Sequence, residues 1–258
     1  MKICLLLMAM AVGLWGQEAR VYKRTPQGEL KVHVFVPEGG GVGRPAALFF
    51  FGGGFRAGTP AQFFGYASHL AKRGMVAVSA EYRVSSRHQT TAREAVEDCR
   101  DAMRWLLGEA ERLGVDAGRV AFGGGSAGGG CALAASYAGG PKPGAWLLFN
   151  PVTEMAKFGA AELSPGPKVK AGDGPGWMVF GSEDASWLPP GRAFVEVYRG
   201  AGNRMELLIA PGQGHGFFNR APWLGASMEA MDRFLVSLGW LTGVSGLAEA
   251  GVGFEGGN

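Results

Sequence analysis

The chain is short of the features that mark whole classes of protein. It carries 3 cysteines in 258 residues, Cys4, Cys99 and Cys131. That is too few for a disulfide-built scaffold, and the paired spacing of a zinc site is missing. An excess of charge of one sign is missing as well: 25 Lys and Arg against 22 Asp and Glu leave a net charge of +3, spread along the chain. This excludes the concentrated basic stripe that a phosphate backbone requires, and with it nucleic acid as a partner. No internal repeat is present, which excludes solenoid and propeller arrays.

Long apolar runs are also lacking, except at the start, where Ile3 to Trp15 follows Lys2 and precedes Gly16 and the polar Gln17-Glu18-Ala19-Arg20. The run is short for a bilayer span and reads as a secretory signal peptide over residues 1–16. Gly13 and Gly16 offer cleavage points, although neither fits the small-x-small pattern, and an uncleaved anchor is the alternative. The expectation is an exported protein, periplasmic or secreted, with no stable membrane insertion once the leader is gone. Cys4 lies inside the apolar run and is not placed for lipid attachment. Cys99 and Cys131 fall on separate predicted helices; two buried free thiols is the leading reading, with a single bridge as the alternative.

What is present is a chain 47% hydrophobic, enough for one sizeable core. We expect one domain over residues 17–242 and a loose glycine-rich tail over 243–258. After the leader, Val21-Tyr22-Lys23-Arg24 and Leu30-Lys31-Val32-His33-Val34-Phe35-Val36 flank a turn at Pro26-Gln27-Gly28. These alternating segments predict an antiparallel hairpin. Beyond it the alternation stops, and apolar runs are separated by segments of helical spacing, the pattern of parallel strands covered on both faces. Strands are predicted at 46–51, 75–80, 120–122, 145–149, 177–180 and 206–209.

The clearest helix places Ala92, Ala95, Val96, Cys99, Ala102, Met103, Leu106 and Ala110 on one stripe. Thr91 and Glu94 form a capping box at its start, and Gly114 supplies its stop. Thr59-Pro60 starts a second helix, which Gly74 ends. A third is centred on Ala193, Phe194, Val197 and Tyr198, and a last one lies between 221 and 241.

One turn carries chemistry. Val120-Ala121-Phe122 runs into Gly123-Gly124-Gly125-Ser126-Ala127-Gly128-Gly129-Gly130 and then into the alanine-rich Cys131-Ala132-Leu133-Ala134-Ala135. Read as Gly124-x-Ser126-x-Gly128, this is a strand, a tight turn and a helix with a serine at the apex, the form of a nucleophile elbow. With 45 glycines in the chain a flexible loop is the competing reading, so the remainder of the site decides.

A serine hydroxyl needs a base held in one tautomer by a carboxylate. Of the 4 histidines, only His215 follows a late strand, within Gly214-His215-Gly216. Asp184, in the turn after the strand 177–180, is the leading orienter, with Glu183 and Glu154 as rivals. Among the others, His33 belongs to the hairpin, His69 to a solvated helix face, and His88 to a polar loop that borders the cleft at most. Gly53 and Gly54, with the N–H of Ala127, are assigned as oxyanion donors, against the alternative of a simple glycine reversal. Trp177, Trp187 and Trp223 are candidate stacking surfaces, with buried packing as the leading role of each.

Together, Phe50-Phe51-Gly52-Gly53-Gly54-Phe55, Ala80-Glu81-Tyr82-Arg83, Gly124-Gly125-Ser126-Ala127-Gly128-Gly129, Phe149-Asn150-Pro151 and Gly214-His215-Gly216-Phe217-Phe218-Asn219 resemble the α/β-hydrolase superfamily. The likeness is to its esterase branch, related to hormone-sensitive lipase and to bacterial carbohydrate esterases, and it spans about Val21 to Leu241. It implies an α/β fold with a mostly parallel central sheet, the N-terminal hairpin at its side and helices on both faces. It also implies a serine carboxylesterase with the triad Ser126, Asp184 and His215, no metal and no organic cofactor. Phe51 departs from the family pattern, which has histidine at that place and uses it to brace the oxyanion loop.

Capped relatives build their lid from an N-terminal extension or from an insertion after the sixth core strand. Here the first is spent on the hairpin and the second is the short segment 152–175, so no substantial cap is expected. An open cleft and export suit a small-molecule or polysaccharide ester, with acetylated or feruloylated carbohydrate the nearest functional likeness. The competing readings are a general carboxylesterase, a peptidase of the prolyl oligopeptidase type, and a non-catalytic binding protein of the same fold.

Overall fold

The computed structural model describes residues 17–256, and the leader expected over 1–16 lies outside them. In chain order the elements are β1 (Gln17–Thr25), β2 (Gly28–Phe35), β3 (Arg44–Phe50), α1 (Phe64–Lys72), β4 (Val76–Ala80), α2 (Ser85–His88), α3 (Ala92–Gly108), β5 (Val115–Gly125) and α4 (Ala127–Tyr137). They continue with β6 (Ala145–Phe149), β7 (Gly176–Gly181), α5 (Leu188–Gly200), β8 (Met205–Ala210), α6 (Trp223–Ser237) and β9 (Glu255–Gly256). The strands make one sheet of 9, in the order β1-β2-β4-β3-β5-β6-β7-β8-β9. Neighbours from β4 to β8 run parallel, while β1, β2 and β9 join antiparallel.

The pleat divides each central strand between two cores. Leu48 and Phe50 of β3 pack with α3, α4 and α5, whereas Ala47 and Phe49 pack with α1 and α6. Both faces of the central sheet are therefore dry, which explains the apolar runs of β3, β6 and, apart from Ser79, β4. Because β4 and β5 lie on opposite sides of β3, the chain reverses its direction of winding there. A crevice opens at such a switch point, beyond the carboxyl ends of the strands. Ser126 and the Gly52-Gly53-Gly54 loop meet in it.

Helix α3 begins as its sequence requires. Thr91 Oγ1 accepts from Arg93 N at 3.2 Å, and Glu94 returns the bond to Thr91 N at 2.8 Å. Its end differs from expectation: α3 stops at Gly108, and Gly114, at φ 67°, closes the turn that follows. A Cβ at Gly114 would stand 2.1 Å from the Gly41 carbonyl, so this glycine serves close approach to a neighbouring loop and not the helix stop. In α5 the buried face is Gly191, Phe194, Val195 and Tyr198; Ala193 and Val197 are exposed, one helical step from the face assigned to them.

The tail is another correction. Leu247, Ala250 and Phe254 pack on the α6 side of the molecule, and Glu255 and Gly256 pair with Ile209 and Leu208 of β8. Apolar side chains spaced among the glycines dock the segment, so its described part is not loose. His69 is corrected as well: α6 covers it, and its Nε2 sits 2.9 Å from Asp232 Oδ2. Cys99 on α3 and Cys131 on α4 are free and fully buried against one another. Burial, and then the hydrogen bond with Cys131, push the Cys99 thiol well up from its ordinary value.

Candidate active site

Strand β5 delivers Ser126 and α4 leaves from it, so the serine occupies a sharp corner at φ 50°, ψ −119°. Only crowding holds a non-glycine residue in that region. Its N–H donates to Phe149 O at 2.9 Å, and its carbonyl accepts from Val152 N at 3.0 Å and Gly130 N at 3.1 Å. The flanking glycines are steric necessities: a Cβ at Gly124 would come within 2.2 Å of Phe50 O, and one at Gly128 within 2.1 Å of the same atom.

His215 stands in the loop after β8 and Asp184 in the turn after β7. His215 Nε2 lies 2.8 Å from Ser126 Oγ, and its Nδ1 lies 2.6 Å from Asp184 Oδ2. The two loops are stitched together by Glu183 N donating to Gln213 O at 2.9 Å and Gly212 N to Ser182 Oγ at 2.8 Å. Asp184 is buried and the imidazole half-open, so the carboxylate has no competing water while the base faces the cleft. Glu183 and Glu154 are both exposed and make no bond to His215; of the three carboxylates, Asp184 is the one brought into place.

Opposite the serine, Gly53 and Gly54 lie exposed on the cleft wall at φ 130° and 62°. A Cβ at Gly53 would meet Ala57 O at 2.1 Å, and the Gly53 carbonyl accepts from Ala57 N at 3.1 Å. Ala127 opens α4, where the first N–H groups have no intrahelical partner and the helix dipole favours negative charge. Gly53 and Gly54 thus line the same cleft as Ser126, and Ala127 follows the serine directly.

Phe51 braces this loop without polar atoms. Its ring stacks on Tyr82 with centroids 4.1 Å apart and planes at 12°, while Tyr82 Oη donates to Phe51 O at 2.7 Å. Burial raises the Tyr82 hydroxyl well above its ordinary value, so it remains a donor. The position that departs from the family pattern is held by packing plus one buried hydrogen bond.

The cleft, about 550 Å³, is bordered by Gln62, Phe158, Trp187, Phe218 and Asn219. Phe158 and Trp187 stack in parallel at 5.9 Å, and Trp187 lies 6.4 Å from the His215 ring. Of the three candidate tryptophans, only Trp187 reaches the site. Trp177 is buried against Phe149, and Trp223 against Phe217 and Phe254. His88 stays away: its Nδ1 accepts from Val84 N at 2.9 Å and the ring does not line the cleft. Gln62 and Phe158 escaped the sequence reading because each lies in a loop or short turn with no motif of its own. The segment 152–175 forms three single 3-10 turns and no cap.

A strained serine at a strand-to-helix corner, bonded to a histidine that is bonded to a buried aspartate, at the carboxyl edge of a mostly parallel sheet, defines a serine hydrolase. The sequence profile described as alpha/beta hydrolase fold matches residues 47–170. Among curated proteins, the carboxylic ester hydrolase LipN of Mycobacterium tuberculosis is 36% identical, the match covering 83% of this chain and 67% of LipN. Esterase LipI of the same organism is 29% identical over 75% of this chain and 72% of its own length. Among solved structures, the propionate-bound esterase Est2 of Thermogutta terrifontis superimposes with a TM-score of 0.82 at 34% identity, covering 88% of this chain and 96% of that one. The form phosphorylated by paraoxon gives 0.83, with the same identity and coverage. The chain belongs to the α/β-hydrolase fold family, in the esterase branch related to hormone-sensitive lipase, and is a serine carboxylesterase.

Proposed function

We propose that Ser126, His215 and Asp184 are the catalytic triad, that Gly53, Gly54 and Ala127 supply the oxyanion N–H groups, and that the substrates are short acyl esters, carbohydrate esters among them. The observation that carries this reading is the unbroken hydrogen-bonded line from Asp184 through His215 to Ser126, facing an uncapped cleft. Asp184 accepts from Nδ1–H and so leaves Nε2 as the base. Ser126 Oγ attacks the ester carbonyl as His215 Nε2 takes its proton. The tetrahedral oxyanion is met by the three backbone donors. Collapse breaks the bond to the alcohol, which leaves with the proton from His215. Water, deprotonated by the same Nε2, then attacks the acyl-enzyme; the acid departs and Ser126 recovers its proton.

Two features support a short acyl group on a bulky alcohol. Phe218 and Gln62 crowd the serine on one side: a Cβ at Gly125 would already be 2.8 Å from the Phe218 ring and 3.5 Å from Gln62 Oε1. On the other side the cleft is open past the stacked Phe158–Trp187 wall, a surface on which a sugar ring can lie. Export completes the proposal, supported by the apolar run behind Lys2.

The experiment is hydrolysis of nitrophenyl acetate, butyrate and octanoate beside acetylated xylan, with Ser126→Ala as control. Serine-dependent turnover favouring acetate, with acetate released from xylan, is the expected result. Serine-dependent turnover of octanoate alone would overturn the short-acyl reading, and activity surviving in Ser126→Ala would overturn the triad.

A further inference from the structure

We propose that Gln62 and Asn219 form a positioning bridge that sets the oxyanion loop in register with the histidine loop; the inference rests on the triad and oxyanion assignment above. Gln62 Oε1 accepts from Gly52 N at 2.6 Å, directly before the candidate donors Gly53 and Gly54. Gln62 Nε2 donates to Asn219 Oδ1 at 3.1 Å, and Asn219 Nδ2 donates to Gly216 O at 2.9 Å, the residue after His215. From there Gly216 N donates to Asn150 Oδ1 at 3.0 Å, and Asn150 Nδ2 lies 3.4 Å from His215 Nε2.

The polarity of this line is fixed at its origin. A backbone N–H can only donate, so Gly52 compels Gln62 to present its oxygen there and its NH2 to Asn219. Asn219 must in turn show oxygen to Gln62 and NH2 to the Gly216 carbonyl. Each amide is used once as acceptor and once as donor, and neither can flip without facing like against like. The loop has Tyr82 on its Phe51 side, and Gln62 is the side chain that holds its Gly52 side. The spacing between the oxyanion donors and the imidazole, on which the tetrahedral state depends, is therefore set by one bridge between residues 157 apart. Misplacing donors by a fraction of an ångström lowers turnover without changing substrate affinity, because the oxyanion exists only in the transition state.

The test is a double-mutant cycle of Gln62→Leu and Asn219→Leu on the full chain, with nitrophenyl acetate as substrate and a trifluoromethyl ketone as transition-state analogue. Gln62→Leu is expected to lower kcat roughly 10- to 100-fold with KM within about twofold. Analogue affinity should fall by the same factor, and Asn219→Leu should lose roughly 3- to 10-fold. The double variant should be no slower than Gln62→Leu within about twofold, because Asn219 acts through Gln62. Gln62→Asn, too short to reach both partners, should not rescue. Additive losses would overturn the bridge. A rise in KM at unchanged kcat would overturn it too, by making both side chains substrate contacts. So would a fall in kcat explained by loss of folded protein, read from thermal melts of the same samples. Ser126→Ala separates the two levels: activity persisting in that variant removes the bridge with the triad, whereas serine-dependent activity leaves the cycle to decide the bridge alone.

Discussion

Two of the imidazole–carboxylate pairs among the described residues, His215–Asp184 and His69–Asp232, differ in which nitrogen is engaged. In the cleft, Asp184 binds Nδ1 of His215 at 2.6 Å and leaves Nε2 toward Ser126. Between α1 and α6, Asp232 Oδ2 lies 2.9 Å from Nε2 of His69, and Arg73 grips the same carboxylate through both oxygens, Nε to Oδ2 at 2.7 Å and Nη2 to Oδ1 at 3.2 Å. The His69 side chain is 6% exposed and that of His215 36%. The same two residue types make a general base where one nitrogen stays open to a nucleophile, and a clamp between helices where the Arg73 guanidinium completes the set. Chemistry follows from the unfilled valence and not from the pair.

The comparison can be broken by substitution. The largest effect belongs to the nucleophile: Ser126→Ala should lower kcat by about 10⁵-fold or more, checked against nitrophenyl acetate. Next, Asp184→Asn should cost about 10⁴-fold in kcat by favouring the wrong tautomer of His215, with the melting temperature little changed. Asp232→Asn should do the reverse. Turnover per folded molecule should stay within about twofold, while stability falls by about 3 kcal/mol, a shift of roughly 6–12 °C in a thermal melt. Equal activity losses in the two variants would erase the distinction.

The smallest expected effect sharpens the comparison by pH. Burial, followed in size by an opposing hydrogen bond to Asp232, leaves His69 below its ordinary value of 6.5, with Arg73 and Lys72 adding to the depression. The unfolded chain therefore binds more protons than the folded one as pH falls through about 6.5, and stability is lost toward acid. The slope contributed by this group cannot exceed about 1.4 kcal/mol per pH unit. Denaturant midpoints between pH 8 and 5 should decline, and His69→Gln should flatten that decline.

Much of the fold is legible in the sequence because its signals are local. Unbroken apolar runs mark strands buried on both faces, and Thr91 with Glu94 marks the start of α3. The elbow is readable because its glycines and serine sit at fixed local spacing, although the contact that makes Gly124 and Gly128 necessary is the Phe50 carbonyl of β3, distant in sequence. Spacing and chain order favour Asp184 over Glu183, but what excludes Glu183 is burial of its neighbour, which depends on how two loops are stitched. The exposed side of α5 at Val197, the burial of His69 by α6, and the docking of Phe254 all depend on distant partners. Gln62 belongs with these, since its neighbours Gly52 and Asn219 lie on different loops and no spacing announces them.

The pairing of Glu255 and Gly256 with β8 has a consequence for behaviour in concentrated solution. An outer strand as apolar as Met205-Glu206-Leu207-Leu208-Ile209-Ala210 offers free amides and carbonyls to any other extended chain. The short C-terminal strand occupies Leu208 and Ile209 in that row, and Phe254 pins it in place. What reads as a weakly structured end is thus a stopper on the sheet, and trimming it would be felt first as clumping of otherwise active molecules.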